Sequence, residues 1–244
     1  MAPVRATTMT RRRWIADEVS ETRAALVGGH ARHLSQVLRV RVGQEFEISV
    51  GGEVRRGTVT TVEAERVEFE LGEFVPQQST FQIAVAISIF KFDRMEWAIE
   101  KCTELGVVRI MPVIAARTEP HLASAAVKRT ERWRRIAKQA SEQSRRVAAP
   151  EVGDPIKLKD LLAVSSGAKI VLSEVEDRLG LRDAIAPEMR SVTLAFGPEG
   201  GWKEQELTAF RNAGWVSASL GPTILRAETA VIAAVAIAAS GLQG

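Results

Sequence analysis

The residues best suited to chemistry in this sequence fall in two strings near its carboxyl end. The first is GPEGGW at 197–202. Gly197, Gly200 and Gly201 permit backbone torsions closed to other residues, Pro198 stiffens the approach, and Glu199 supplies an acceptor. Such a loop can bring backbone amides and carbonyls against a flat ligand. It lacks the Gly-Lys-Ser/Thr ending of a nucleotide phosphate loop and the GxGxxG spacing of a dinucleotide fold. Taken alone, it also suits a plain glycine-rich turn ahead of a helix. The second string is LGPTILRAETA at 220–230. It sets apolar Ile224 and Leu225 inside a connection that also holds Leu220, Gly221, Pro222, Arg226, Glu228 and Thr229. An apolar pair there can wall a purine pocket while the loop backbone reads the purine edge. Equally, it can anchor the loop in the core, with Glu228 favouring the first turn of a following helix through the helix dipole.

Both strings follow stretches that read as strands. Residues 81–89 are a near-continuous apolar run, as expected of a strand covered on both faces. Met95, Ala98, Ile99, Cys102 and Leu105 then recur at helical spacing over 93–105, and Gly106 is placed as the stop. Further strands are expected at 107–113, 169–172, 192–196 and 216–220, and helices over the basic stretch near 128–146, at 204–212 and from about Ala227. This alternation implies an α/β domain with a parallel sheet and helices on both faces. Ligands in such sheets bind outside the carboxyl ends of strands, which is where both strings stand. The first seventy residues differ. Strands at 45–50, 54–62 and 66–71 alternate, the first two joined by a Gly51-Gly52 hairpin signal. Residues 28–40 suit a short helix with Leu34, Val37 and Leu38 on its apolar face. Residues 73–80 have no period and read as a linker.

The 244 residues are 45% hydrophobic and 26% charged, which suits a globular chain and argues against disorder. Arg5 and Arg11 to Arg13 are followed by Asp17, Glu18 and Glu21 rather than an apolar run, so no signal peptide is expected and the address is cytoplasmic. The longest apolar tract, 230–239, is too short for a bilayer that needs roughly 20 residues. Cys102 is the only cysteine, which excludes an intramolecular disulfide; placed mid-stripe, it reads as core rather than nucleophile. His30, His33 and His121 lack zinc-ligand spacing, so no metal is expected. Lys and Arg number 33 against 30 acids, but the charge is uneven. Residues 128–146 hold eight basic side chains against two acidic, with Lys128, Arg132 and Arg135 three or four apart on one helix face. Such a face can hold a phosphate backbone; the bland alternative is a solvated face with Trp133 and Ile136 packed inward. Arg11, Arg12, Arg13, Arg39, Arg41, Arg55 and Arg56 form a second basic group.

In order and spacing, the strings RMEWAIEKCTELGV (94–107), KRTERWRRIAKQASEQSRR (128–146), GPEGG and LGPTILRAETA resemble the RsmE family of 16S ribosomal RNA (uracil-N3)-methyltransferases. HARHLSQVLRVRVG at 30–43 is similar to the amino-terminal module of that family, so the likeness runs nearly the whole chain. Two positions depart from it. Thr223 stands where the family usually has Arg, and Trp202-Lys203 where it usually has Phe followed by Ser or Thr.

The resemblance implies a PUA-like β-barrel over 1–73, a linker over 74–80 and a SPOUT-type α/β methyltransferase domain with a carboxyl-terminal trefoil knot over 81–244. It implies a homodimer, S-adenosyl-L-methionine as cofactor, and methylation of N3 of a specific uridine in 16S ribosomal RNA within the small subunit. The implied cofactor residues are Leu172, Ser173, Glu174, Gly197, Pro198, Glu199, Gly200, Gly201, Leu220, Gly221, Ile224, Leu225 and Arg226. Glu142, Gln143, Arg145 and Arg146 match a family signature and join Lys128, Arg132, Arg135, Arg11, Arg12, Arg13, Arg39 and Arg41 as RNA-binding candidates. Arg226 is expected to offset charge on a uracil oxygen, and Glu199 or Glu228 to take the N3 proton, unless Arg226 simply pairs with one of those acids. Two other readings keep much of the chain unchanged: a ribose 2′-hydroxyl acceptor, and an assembly factor that binds RNA without catalysis.

Overall fold

The computed structural model describes residues 13–75, 82–144, 146–163, 167–186 and 188–241. Arg11, Arg12 and Arg145, and linker residues 76–80, lie outside the described residues. The chain divides into two compact units, one drawn from Met1–Ser79 and Ser141–Ala148, the other from Thr80–Ala140 and Ala149–Gly244.

The first unit holds β1 (Arg13–Ile15), β2 (Glu18–Val19), β3 (Arg23–Val27), α1 (Gly29–Arg32), β4 (Glu45–Val50), β5 (Glu53–Val62) and β6 (Arg66–Phe74). The sheet order is β1-β4-β5-β6-β3-β2. Its two outer strands are successive pieces of one segment: Ala16 N donates to Ser49 O on one side, and Asp17 N donates to Ala25 O on the other. The sheet therefore curls until its edges share a chain segment. Gly51 and Gly52 both adopt positive φ, 59° and 91°, the conformation a tight two-residue hairpin requires. Leu26, Phe46, Ile48, Val67 and Phe69 fill the interior. Three details differ from the sequence reading. Strands β1 to β3 were not expected, because they are short and rich in Arg, Glu and Ala, which carry little strand signal. The expected helix at 28–40 is a single α turn followed by a π-helical turn over His33–Val37, which leaves Val37 exposed. Strand β6 also runs on to Phe74, into the start of the expected linker.

The second unit begins with β7 (Gln82–Ser88), α2 (Phe92–Glu104), β8 (Arg109–Ile114) and α3 (Pro120–Gln143), whose residues from Ser141 onward belong to the first unit. Short elements β9 (Glu151–Val152), β10 (Ile156–Lys157) and α4 (Leu158–Leu162) follow, then β11 (Ala168–Leu172), α5 (Leu181–Ala184) and β12 (Ser191–Phe196). The chain closes with α6 (Glu204–Asn212), β13 (Val216–Ala218) and α7 (Ala227–Gly241). The sheet is parallel throughout, in the order β10-β8-β7-β12-β11-β13, with β9 also on β8. Side chains alternate along β7. Ile83, Val85 and Ile87 pack into one layer with Met95, Ile99, Cys102, Trp133, Val231 and Val235, while Ala86 faces the other layer with Leu161, Leu207 and Phe210. Helices α2, α3 and α7 thus cover one face and α4 and α6 the other, an α/β fold of the expected class. Cys102 is fully buried, and burial pushes its thiol up to about 12. No helix among the described residues is long and apolar enough to cross a membrane.

Candidate active site

Strands β12, β11 and β13 are neighbours in the sheet, and the loops leaving their carboxyl ends converge. They line a cavity of about 550 Å³. Every residue named above for the cofactor, from Leu172 to Glu174, Gly197 to Gly201, Leu220, Gly221 and Ile224 to Arg226, lines this one cavity. The walls are mostly backbone and apolar side chains, so few charges mark the place in the sequence. Ile224 is 91% exposed on the open side of the loop, so it is no core anchor.

Local chemistry sets the glycine loop. Gly201 N donates to Pro198 O at 2.8 Å, closing a tight turn, and Gly201 has φ 68°. A Cβ there would meet the Glu174 carboxylate, so glycine is required twice, for torsion and for space. The Arg117 guanidinium donates to Gly200 O. Glu206 accepts from Lys203 N at 2.9 Å and Ala116 N at 2.8 Å, so one carboxylate ties the start of α6 to the connection after β8. Trp202 is buried edge-on against Phe210, and its Nε1 donates to Leu172 O at 3.1 Å. Phenylalanine at 202 would fill the same apolar site but has no means to make this hydrogen bond.

The charged residues on the cavity are Arg94, Glu174, Glu199 and Arg226. Glu174, Glu199 and Arg226 are exposed, and Arg226 makes no ion pair with Glu199 or Glu228. Glu228 is buried in the first turn of α7, as the dipole argument expected, yet its partner is Arg94: Nε lies 3.7 Å from Oε1. Glu228 Oε2 is buried without a hydrogen-bond partner. Arg94 opens the helical string 94–107, where nothing in the sequence marks it for a role at the site except its place, a charged residue in the first turn of a helix that follows the central strand β7.

The RNA-binding candidates scatter in their surroundings. Lys128 and Arg135 are exposed on α3. Arg132 makes a bidentate pair with Glu96 at 2.7 and 2.8 Å, and Arg129 stacks over Phe92 while approaching the same acid. In the first unit Arg39 and Arg41 are exposed, Arg13 pairs with Glu47, and Arg55 donates to the carbonyls of Gly72, Glu21 and Leu71. Gln143 is exposed and Arg146 is half-buried, its guanidinium pushed down by burial. Glu142 is largely buried and accepts from His30 Nε2 at 2.8 Å, while His30 Nδ1 lies 3.1 Å from Asp17. His30 is raised above its ordinary value chiefly by Glu142 and further by Asp17, against the opposing effect of burial. Among the described residues no group of three or more His, Cys, Asp or Glu is placed to hold a metal ion.

The family model described as "RNA methyltransferase domain" matches residues 77–239. The ribosomal RNA small subunit methyltransferase E of Aquifex aeolicus (strain VF5) is 31% identical over 214 residues, covering 86% of this chain and 90% of that protein. Its counterpart from Bacillus subtilis (strain 168) is 32% identical, covering 84% and 85%. Among solved structures, the enzyme of the same name from Neisseria gonorrhoeae bound to S-adenosyl methionine superposes with a TM-score of 0.79 at 33% identity, covering 92% of this chain and 95% of that one. With a parallel sheet whose neighbouring strand ends build one cavity, and with likeness running over nearly its whole length, the chain belongs to the ribosomal RNA small subunit methyltransferase E family of RNA methyltransferases.

Proposed function

We propose that this protein methylates N3 of a specific uridine in the 16S ribosomal RNA of the small subunit, with S-adenosyl-L-methionine as methyl donor. The observation that carries the reading is the cavity at the carboxyl ends of β12, β11 and β13. Its volume lies within the range of small-molecule sites, roughly 300–1,000 Å³. Leu220, Ile224 and Leu225 offer apolar surface for an adenine, and the glycine loop offers backbone polar groups. When bound, the cofactor supplies an electrophilic methyl group on a sulfonium.

The chain's own residues do the rest. For N3 to accept the methyl group that the bound cofactor would supply, its proton must leave. Glu199, exposed on the cavity, takes that proton; Glu228, the other candidate, sits behind Arg94. Arg226 offsets the negative charge that develops on a uracil oxygen. Holding donor and acceptor in line contributes roughly 7–11 kcal/mol relative to free encounter. Lys128, Arg135, Arg39 and Arg41 contact RNA phosphates, and the target uridine is unpaired or flipped, since N3 is used in Watson–Crick pairing. The first unit acts as a PUA-like RNA-binding module over 1–73, joined by 74–80 to a knotted SPOUT-type domain over 81–244. The protein works in the cytoplasm as a homodimer.

The test is methyl transfer from labelled S-adenosylmethionine to small subunits lacking the modification, with the labelled nucleoside identified by mass spectrometry. Label in 3-methyluridine supports the proposal. Label in a ribose-methylated nucleoside overturns the acceptor atom, and tight RNA binding without label overturns the enzyme reading.

A further inference from the structure

A uracil that loses its N3 proton carries the resulting charge on both carbonyl oxygens, O2 and O4, one on each side of N3. Two cations can therefore act at once. The cavity has two basic side chains, Arg226 on the connection before α7 and Arg94 in the first turn of α2. Helix α2 follows β7, and β7 adjoins β12 on the side away from β11 and β13. Arg94 thus reaches the cavity from an element other than the three loops, beside the first turn of α7. Ile224 and Leu225 suit the donor's adenine, a neutral ring, whereas a uracil losing its N3 proton carries the charge a guanidinium can answer.

Arg94 is also held. Its Nε lies 3.7 Å from Glu228 Oε1, and the Glu228 side chain is only 8% exposed. A carboxylate buried that deeply is costly without a compensating cation. The second carboxylate oxygen has no hydrogen-bond partner, so the acid rests on the start of α7 and on Arg94, its one side-chain cation among the described residues. A donor fixed before the reaction stabilises developing charge more effectively than one that must be recruited. Arg226, exposed and outside any ion pair with Glu199 or Glu228, has no such anchor.

We infer that Arg94 is a further catalytic residue: anchored by buried Glu228, its guanidinium stabilises one carbonyl oxygen of the target uracil as N3 loses its proton. Glu228 is then the positioning residue for Arg94 and not the proton acceptor. The inference rests on the N3-uridine reading and assigns it a second cation.

The test uses the full chain and small subunits reconstituted with ribosomal RNA made from either UTP or 5-fluoro-UTP. Fluorine at C5 makes N3–H more acidic, so an enzyme short of oxygen stabilisation gains more from it. R94Q is expected to lose about 100-fold or more in kcat on ordinary RNA, to keep its affinity for S-adenosylhomocysteine, and to recover several-fold relative to wild type on fluorinated RNA. R94K should retain more activity than R94Q. R94Q/E228Q removes both charges together and should show the R94Q defect without an orphaned acid. An equal defect on both RNAs, as a phosphate contact or a purely structural role would give, overturns the inference. So does recovery of activity in R94Q/E228Q, or lost analogue binding in R94Q. If wild-type enzyme makes a product other than 3-methyluridine, the N3 reading itself fails, and that result is read without any variant.

Discussion

Trp202 Nε1 donates to Leu172 O at 3.1 Å, so the end of the glycine loop after β12 is tied to the last residue of β11. The two strands are already neighbours in the sheet; the indole extends their union beyond the ladder to the loops that wall the cavity. Trp202→Phe keeps an aromatic ring against Phe210 and removes the donor. It should cost about 1 kcal/mol in denaturant unfolding and weaken S-adenosylhomocysteine binding measured by calorimetry. Unchanged stability and affinity would show that the hydrogen bond holds nothing.

Gly201→Ala meets two obstacles, a φ of 68° and the Glu174 carboxylate. The torsion alone costs about 1–2 kcal/mol. The variant should lose cofactor affinity, and Gly201→Ala/Glu174→Ala should recover only the steric share. Full recovery in the double variant would mean that the left-handed torsion is free of cost there.

His30 stands between Glu142 and Asp17, which raise its protonation above the ordinary imidazole value of 6.5. The stabilisation is full below 6.5, the value of the unfolded chain, and is lost as pH rises through the higher folded value. Urea unfolding followed by tryptophan fluorescence should therefore show a loss of stability from pH 6 to pH 9 that is smaller in His30→Gln. An identical loss in the variant would place the pH dependence elsewhere.

Lys128 and Arg135 are exposed on α3, whereas Arg132 is engaged by Glu96. Lys128→Ala/Arg135→Ala should weaken binding to small-subunit RNA and reduce the salt slope by roughly 0.7–0.9 per lost phosphate contact. Filter binding across a salt series reads both. A slope equal to wild type would remove these side chains from the RNA surface.

The cavity loops were legible because they break local expectations: glycines gathered around one acid in 197–201, and bare apolar residues in a connection at 224–225. Strand alternation placed them at carboxyl ends without further help. Arg94 escaped because an arginine in an amphipathic helix is unremarkable until its partner is known, and Glu228 arrives from the far end of the chain. Spacing alone also does not show which cations of α3 are already paired. Glu96 from α2 and Asp154 from beyond α3 neutralise Arg132 and Arg134, and such pairings depend on packing between elements rather than spacing within one. Strands β9 and β10, two residues each, are too short to show any period.

The parallel sheet ends in β13, three residues long, on one side and in β9 and β10 on the other. A long bare edge is a template on which another chain can lay an extended segment, the first step toward aggregation. Edges this short offer an incoming strand only two or three residues to pair with. The central strands β7 and β12, the most buried of the sheet, are shielded by their neighbours in the ladder, so crowding many copies together gives their backbones nothing to recruit.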